Sequence, residues 1–179
     1  MTGSALVVRR FLPGEWSLYR DLRLRSLQDS PDAFGSTYAL ECDRADGDWA
    51  ERLARGASAV DELPLVAEWK GEPSGLAWAR IDATTPEVAH LYQMWVAPEC
   101  RRNGIGRALL DAAASWSRSM GAERIELDVT CSNEPAVRLY EEAGFVAHGE
   151  STPLRLGETL RAQPMCRSLG EDSSSRPTT

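Results

Sequence analysis

Val96-Ala-Pro-Glu-Cys-Arg-Arg-Asn-Gly-Ile-Gly-Arg-Ala-Leu109 is the stretch whose reading decides the fold. An apolar run ends at Val96, a basic glycine-containing turn follows, and the turn opens a helix. A helix start carries several N–H groups without intrahelical partners and the positive end of the helix dipole. Gly104 and Gly106 place no Cβ in the way of a close ligand, and Arg101, Arg102 and Arg107 add fixed positive charge. The stretch reads as a site for a phosphate or pyrophosphate. It is not the NTP-binding P-loop, because no Lys-Ser/Thr pair follows the glycines, and it lacks the full G-x-G-x-x-G spacing of an opening Rossmann unit.

Upstream of this turn, Glu87 to Val96 reads as the strand that feeds it. Before that come two more strands, Pro64 to Trp69 and Gly75 to Ala83, joined by the turn-rich link Lys70-Gly-Glu-Pro-Ser74. Ala5 to Phe11 forms a first strand, Glu15 to Ser30 a helix closed by Pro31, and Asp48 to Arg55 a shorter helix. The segment from Asp32 to Glu41 between those helices is partly helical. Downstream, Ile105, Leu109, Ala112, Ala113, Trp116 and Met120 recur at helical spacing, and Gly121 ends the helix. Arg124 to Thr130 alternates apolar and polar residues as a strand does. Asn133 or Glu134 caps a last helix with Pro135 in its first turn, and Gly144 ends it. Val146 to Gly149 and Leu160 to Leu169 close the list of strands, and residues 170–179 are a polar tail expected to be disordered. Consecutive short-linked strands imply an antiparallel meander, and the strand-helix-strand around the turn implies one parallel crossover. The expected class is α/β, a mixed, mostly antiparallel central sheet with flanking helices, in a single domain over residues 1–169.

Composition narrows the function classes. The chain has 179 residues, 42% hydrophobic and 26% charged, the make-up of an ordinary globular protein. No apolar run approaches the roughly 20 residues that span a bilayer, so no membrane association is expected. Met1-Thr-Gly-Ser-Ala lacks the basic start and long apolar core of a secretory signal, and a cytoplasmic location is expected. Cys42, Cys100, Cys131 and Cys166 are scattered, without CxxC pairing, and with His90 and His148 they offer no metal-site spacing. A net charge of −7 argues against nucleic acid as a partner and is compatible with a cationic amine.

A second constellation gives the turn its context. In Leu127-Asp-Val-Thr-Cys-Ser-Asn-Glu-Pro-Ala-Val-Arg-Leu-Tyr-Glu-Glu-Ala-Gly-Phe145, a strand leads to Asn133 and, about two helical turns later, to Tyr140. Taken singly, Asn133 reads as a helix cap and Tyr140 as a core aromatic. Together, Val-x-Pro, Arg-x-x-Gly-x-Gly, Asn-x-x-Ala and Leu-Tyr-x-x-x-Gly-Phe, in this order and separation, resemble the GCN5-related N-acetyltransferase (GNAT) family over about Leu65 to Leu169.

That resemblance implies acetyl-CoA as cosubstrate. Its pyrophosphate would lie on the turn Arg101, Arg102, Asn103, Gly104, Ile105, Gly106 and Arg107, with backbone N–H groups of Arg102, Gly104, Gly106 and Arg107 as donors. Its pantetheine arm would pair with the backbone of Met94, Trp95 and Val96, and Asn133 would contact the arm. Tyr140 matches the tyrosine that protonates the leaving thiolate. The implied reaction is direct transfer of the acetyl group to a primary amine, of a small molecule or a peptide, in a ternary complex. Such an amine has a pKa of roughly 10.4 and must lose its proton first. Glu41 is the candidate base or amine anchor, with His90 and Tyr92 as further candidates. Phe34, Tyr38 and Trp49 are candidate pocket walls. A backbone N–H near Met94 or Trp95 is the candidate oxyanion donor. The resemblance also makes a homodimer an expectation. The alternative is a non-catalytic acyl-CoA-binding regulatory domain.

Overall fold

Three long strands, two of them buried on both faces over most of their length, organise the rest of the chain. They are β2 (Glu62–Trp69), β3 (Glu72–Ile81) and β4 (Val88–Val96), consecutive and antiparallel in a computed structural model that describes residues 5–170. β1 (Leu6–Arg10) adds antiparallel to β2. Beyond β4 the sheet continues with β5 (Arg124–Thr130), the one parallel neighbour, then β8 (Arg161–Ser168) and β6 (Val146–Ala147). β7 (Thr152–Pro153) also pairs with β8. The mixed, mostly antiparallel sheet is the expected one.

Among the described residues, five α-helices cover the two faces: α1 (Trp16–Asp29), the single turn α2 (Tyr38–Glu41), α3 (Asp46–Ser58), α4 (Ile105–Ser119) and α5 (Glu134–Glu142). Their packing follows the two-residue alternation of the strands. Leu63, Leu65 and Ala67 of β2 and Ala77, Ala79 and Ile81 of β3 join one core with Ile105, Leu109 and Leu110 of α4. Val66, Leu76 and Trp78 point the other way, into a second core with Tyr19 and Leu22 of α1 and Trp49 and Leu53 of α3.

β4 breaks this alternation, and the break positions the site. Ala89 and Leu91 belong to the α4-side core, so strict alternation would send Trp95 there as well. Instead Trp95 lies in the α1/α3 core, and Met94 and Val96 pack on the α4 side. The pairing with β3 slips between Leu76 and Trp78, and Gln93 has φ 56°. One extra residue, a β-bulge at Gln93, has inverted the faces downstream of it. Tyr19 holds the bulge, its hydroxyl donating to Gln93 Oε1 at 2.9 Å.

Several boundaries differ from the sequence expectation. The link between β2 and β3 is not five residues but the two-residue turn Lys70-Gly71, both at positive φ, so Glu72 to Ser74 already belong to the strand. The helix expected over Asp48 to Arg55 is longer at both ends, and the strand expected over Val146 to Gly149 shrinks to two residues. β7 was not foreseen; two residues hold too little pattern to be read. Apart from Gly170, the expected tail lies outside the described residues.

Candidate functional site

The glycine turn folds as the sequence implies, with an internal bracing the sequence does not show. Arg102 (φ 62°) and Gly104 (φ 77°) both adopt left-handed backbone, and Gly104 is the N-cap of α4. A Cβ at Gly104 would meet nothing within 4 Å, so the space in front of the helix is open to a ligand. The first intrahelical bond is donated by Ala108 to Gly104 O at 3.0 Å, which leaves the N–H groups of Ile105, Gly106 and Arg107 ahead of the ladder. Gly106 serves packing as well, since a Cβ there would lie 2.9 Å from Leu139 Cδ2 of α5. Asn103 Nδ2 donates to Cys100 O at 3.0 Å and to Arg101 O at 3.2 Å, closing the turn on itself.

The three arginines of the turn do different things. Arg101 Nε donates to Val96 O at 3.0 Å and its Nη2 pairs with Asp29, so it ties the turn to β4 and to the end of α1. Asp29 also accepts from Trp95 Nε1 at 2.8 Å. Arg107 pairs with Asp111 at 3.0 Å and donates to Glu142 O at 3.1 Å. Arg102 is exposed and has no ion pair among the described residues, which makes it the turn's uncommitted cation.

Beside the turn, the sheet opens. β4 and β5 pair only over Val88–His90 and Arg124–Glu126. From Leu91 to Val96 the β5-facing edge of β4 has no strand paired to it among the described residues, while β5 continues along β8 to Thr130. Met94, Trp95 and Val96 therefore present backbone to a groove that leads to the N-terminus of α4. Asn133 caps α5, its side chain accepting from Ala136 N–H at 3.3 Å. It lines a cavity of about 310 Å³ between the α1 end (Asp29, Ser30) and the β5–α5 junction (Thr130, Ser132). Tyr140 does not line that cavity. It is 6% exposed in the α4-side core, its ring 5.9 Å from that of Phe145, and burial pushes its phenol pKa well up.

On the other side of β4 lies a larger cavity, about 740 Å³, bounded by the bulge, α3 and the segment following α1. Glu41, Phe34 and Tyr92, three of the acceptor-side candidates, line it. Three expected residues do not. Trp49 is fully buried in the α1/α3 core, Tyr38 lies on the surface outside the cavity, and His90 stacks on Tyr92 at 6.2 Å without reaching the lining. Glu41 is itself 3% exposed and clamped by Arg23, whose Nη2 donates at 2.8 Å and Nε at 3.3 Å. Burial alone would raise the Glu41 pKa, but Arg23 and Ser36 hold it below the ordinary carboxylate value. A carboxylate so committed is a poor proton acceptor, which weighs against the base among the two roles expected of Glu41, base or amine anchor. Arg23 was missed, though its position on the buried stripe Tyr19, Leu22, Ser26, Leu27 was a legible oddity. Gln93 was missed too, a polar residue inside Leu91-Tyr-Gln-Met-Trp-Val96.

Comparison with known proteins places this architecture. Mycothiol acetyltransferase of Propionibacterium freudenreichii subsp. shermanii is 38% identical over 102 residues, 49% of this chain and 33% of that protein. Mycothiol acetyltransferase of Stackebrandtia nassauensis is 29% identical over 146 residues, 79% of this chain and 45% of that protein. The chain thus spans less than half the length of these curated relatives. A GNAT-family acetyltransferase from Streptococcus pneumoniae superposes with a TM-score of 0.77 at 24% identity, covering 92% of this chain and 99% of that one. The spermidine N-acetyltransferase of Vibrio cholerae, solved with CoA and spermine, gives 0.76 at 22% identity over 93% and 97%. At such identities the likeness is one of fold. The family model for GNAT acetyltransferases matches residues 23–145, from the middle of α1 to the end of the second motif, so the opened sheet and its glycine turn are inherited together: the chain belongs to the acetyltransferase (GNAT) family.

Proposed function

We propose that the chain transfers an acetyl group from acetyl-CoA to a primary amine by direct attack in a ternary complex. One observation carries the reading: β4 loses its parallel neighbour after His90, which leaves the backbone of Leu91 to Val96 facing a groove that ends at the unpaired N–H groups of α4. An extended amide-bearing arm fits the first part, and a pyrophosphate fits the second. The bound cosubstrate supplies the thioester whose carbonyl carbon is attacked.

In this reading Gly104, Ile105, Gly106 and Arg107 hold phosphate through backbone N–H groups, and Arg102 adds an unpaired charge. Arg101 and Asn103 contribute by bracing the turn. Asn133 sets the start of α5 and lines the smaller cavity at the β5–α5 junction, where it would contact the cosubstrate's arm. A backbone N–H near Met94 or Trp95 stabilises the oxyanion. As the new C–N bond forms and the C–S bond breaks, Tyr140 gives its phenolic proton to the departing thiolate; of the two protons the ammonium loses, one goes to water before attack and the other returns through water to the phenolate. Burial favours the protonated phenol, the form a proton donor needs, and no hydrogen bond within the described chain competes for that proton. Glu41 acts on the acceptor side as a positioning residue, through Arg23. A cytoplasmic location and a homodimer belong to the same reading, the first supported by four free cysteines and checked by fractionation, the second checked by light scattering. No helix among the described residues is long and apolar enough to cross a membrane.

Thiol release across a panel of amines, with a peptide and a polyamine included, tests the reading. Tyr140→Phe should lower kcat by about a hundredfold or more while acetyl-CoA affinity holds. Unchanged turnover in that variant removes Tyr140 as the acid. Tight acetyl-CoA binding with no turnover on any amine favours the regulatory-domain alternative.

A further inference from the structure

The large cavity behind β4 has a charge pattern opposite to that of the chain. The protein carries a net −7, yet Arg23, Arg44, Arg52, Arg55 and Arg80 all line this one cavity. Four carboxylates share it, but two are already committed. Glu41 is clamped by Arg23, and Glu62 accepts from Trp78 Nε1 at 2.8 Å. Asp48 and Glu51 sit on the exposed side of α3. The arginines other than Arg23 make no ion pair among the described residues. Two of them lie over aromatic faces, Arg44 over Trp49 at 5.2 Å and Arg52 over Trp78 at 5.8 Å.

Two guanidinium nitrogens in this group are both buried and without a partner: Arg23 Nη1 and Arg44 Nε. Arg23 is 4% exposed, with its plane over Phe34 at 4.8 Å, so it cannot swing out to water. A buried charged donor left unmatched is costly, and native structures keep such groups where a ligand completes them. The guanidinium fork matches carboxylate and phosphate oxygens.

Resting on the acetyl-transfer reading, we propose that the acceptor amine also carries an oxyanionic group, carboxylate or phosphoryl, which this arginine cluster binds. The anion lies on Arg23 Nη1 and Arg44, with Arg52 beside them. The amine then faces Tyr92 and Gln93 at the bulge, the side of the cavity nearest the β4 groove. A polycation such as spermidine meets like charge here. Bulk acidity therefore misleads about the substrate.

The test measures thiol release with α-amino acids, their amides, the matching decarboxylated amines, 2-aminoethylphosphonate and spermidine. Acid-bearing amines should exceed their amides in kcat/KM by about tenfold or more. Arg44→Gln and Arg52→Gln should each raise KM for the acids alone, and Arg44→Lys should restore part of the preference. Acetyl-CoA affinity, read by calorimetry, confirms that the variants fold. The amino-acid and phosphonate arms decide which anion is preferred. Equal or better use of amides, decarboxylated amines or spermidine overturns the proposal, as does an acid preference that survives both glutamine variants. If nothing is turned over although acetyl-CoA binds, the acetyl-transfer reading fails by itself. Calorimetric titration of the same acids in the presence of CoA then decides: binding weakened by Arg44→Gln upholds the anion site, and absence of binding overturns it.

Discussion

Glu41 and Arg23 show how a single contact changes what a residue can do. Both are almost wholly buried, so each charge depends on the other for compensation. Replacing Glu41 by Gln leaves Arg23 charged and less well matched, and should cost about 3 kcal/mol of stability in urea denaturation. The pH dependence follows from the direction of the shift. The folded pKa lies below the unfolded value near 4.5, so the unfolded chain binds the proton more readily. The pair's stabilisation is present above that value and is lost as pH falls through the folded one. Glu41→Gln should therefore flatten the acid limb of the stability curve, and a limb as steep as wild type would contradict this. Neither partner's role was legible beforehand, because α1 and α2 meet only after the segment between them has turned back.

At the scale of elements, the bulge at Gln93 links the two cavities. It sends Trp95 to the α1 side, where Asp29 receives its indole N–H, and Asp29 in turn holds Arg101 of the glycine turn. Met94 and Val96 stay on the α4 side, along the open β4 edge. Tyr19→Phe removes the hydrogen bond to Gln93 at the cost of about 1 kcal/mol, read as a lower urea midpoint at constant slope. The helices and β5 were largely legible: α4 was expected over Gly104 to Met120 and spans Ile105–Ser119, and β5 has the expected bounds. The bulge was not. β4 carries apolar residues on both faces, so a slip of one residue leaves the hydrophobic pattern almost unchanged.

For the whole molecule, a ligand that binds only the folded chain adds stability by mass action. CoA at a hundredfold its Kd should raise unfolding free energy by about 2.7 kcal/mol, seen as a rising Tm. Gly104→Val places a β-branched side chain at φ 77° and into the open space before α4. It should lower the Tm without ligand and abolish the CoA-dependent rise. A rise equal to wild type would remove the turn from the ligand site.

The sequence by itself determined the family, the mixed sheet and the glycine turn, because each rests on short-range signals. A left-handed glycine, a helix start and the spacing from Asn133 to Tyr140 are written within one or two turns of chain. Tertiary structure alone decided where β4 changes face, that Glu41 is a counter-ion, and that five arginines from α1, α3, β3 and the segment after α2 line one cavity. Those facts depend on contacts such as Arg23 with Glu41 and Arg101 with Asp29, between residues far apart in the chain. Burial sets their energies, and burial exists only once the helices have closed over the sheet.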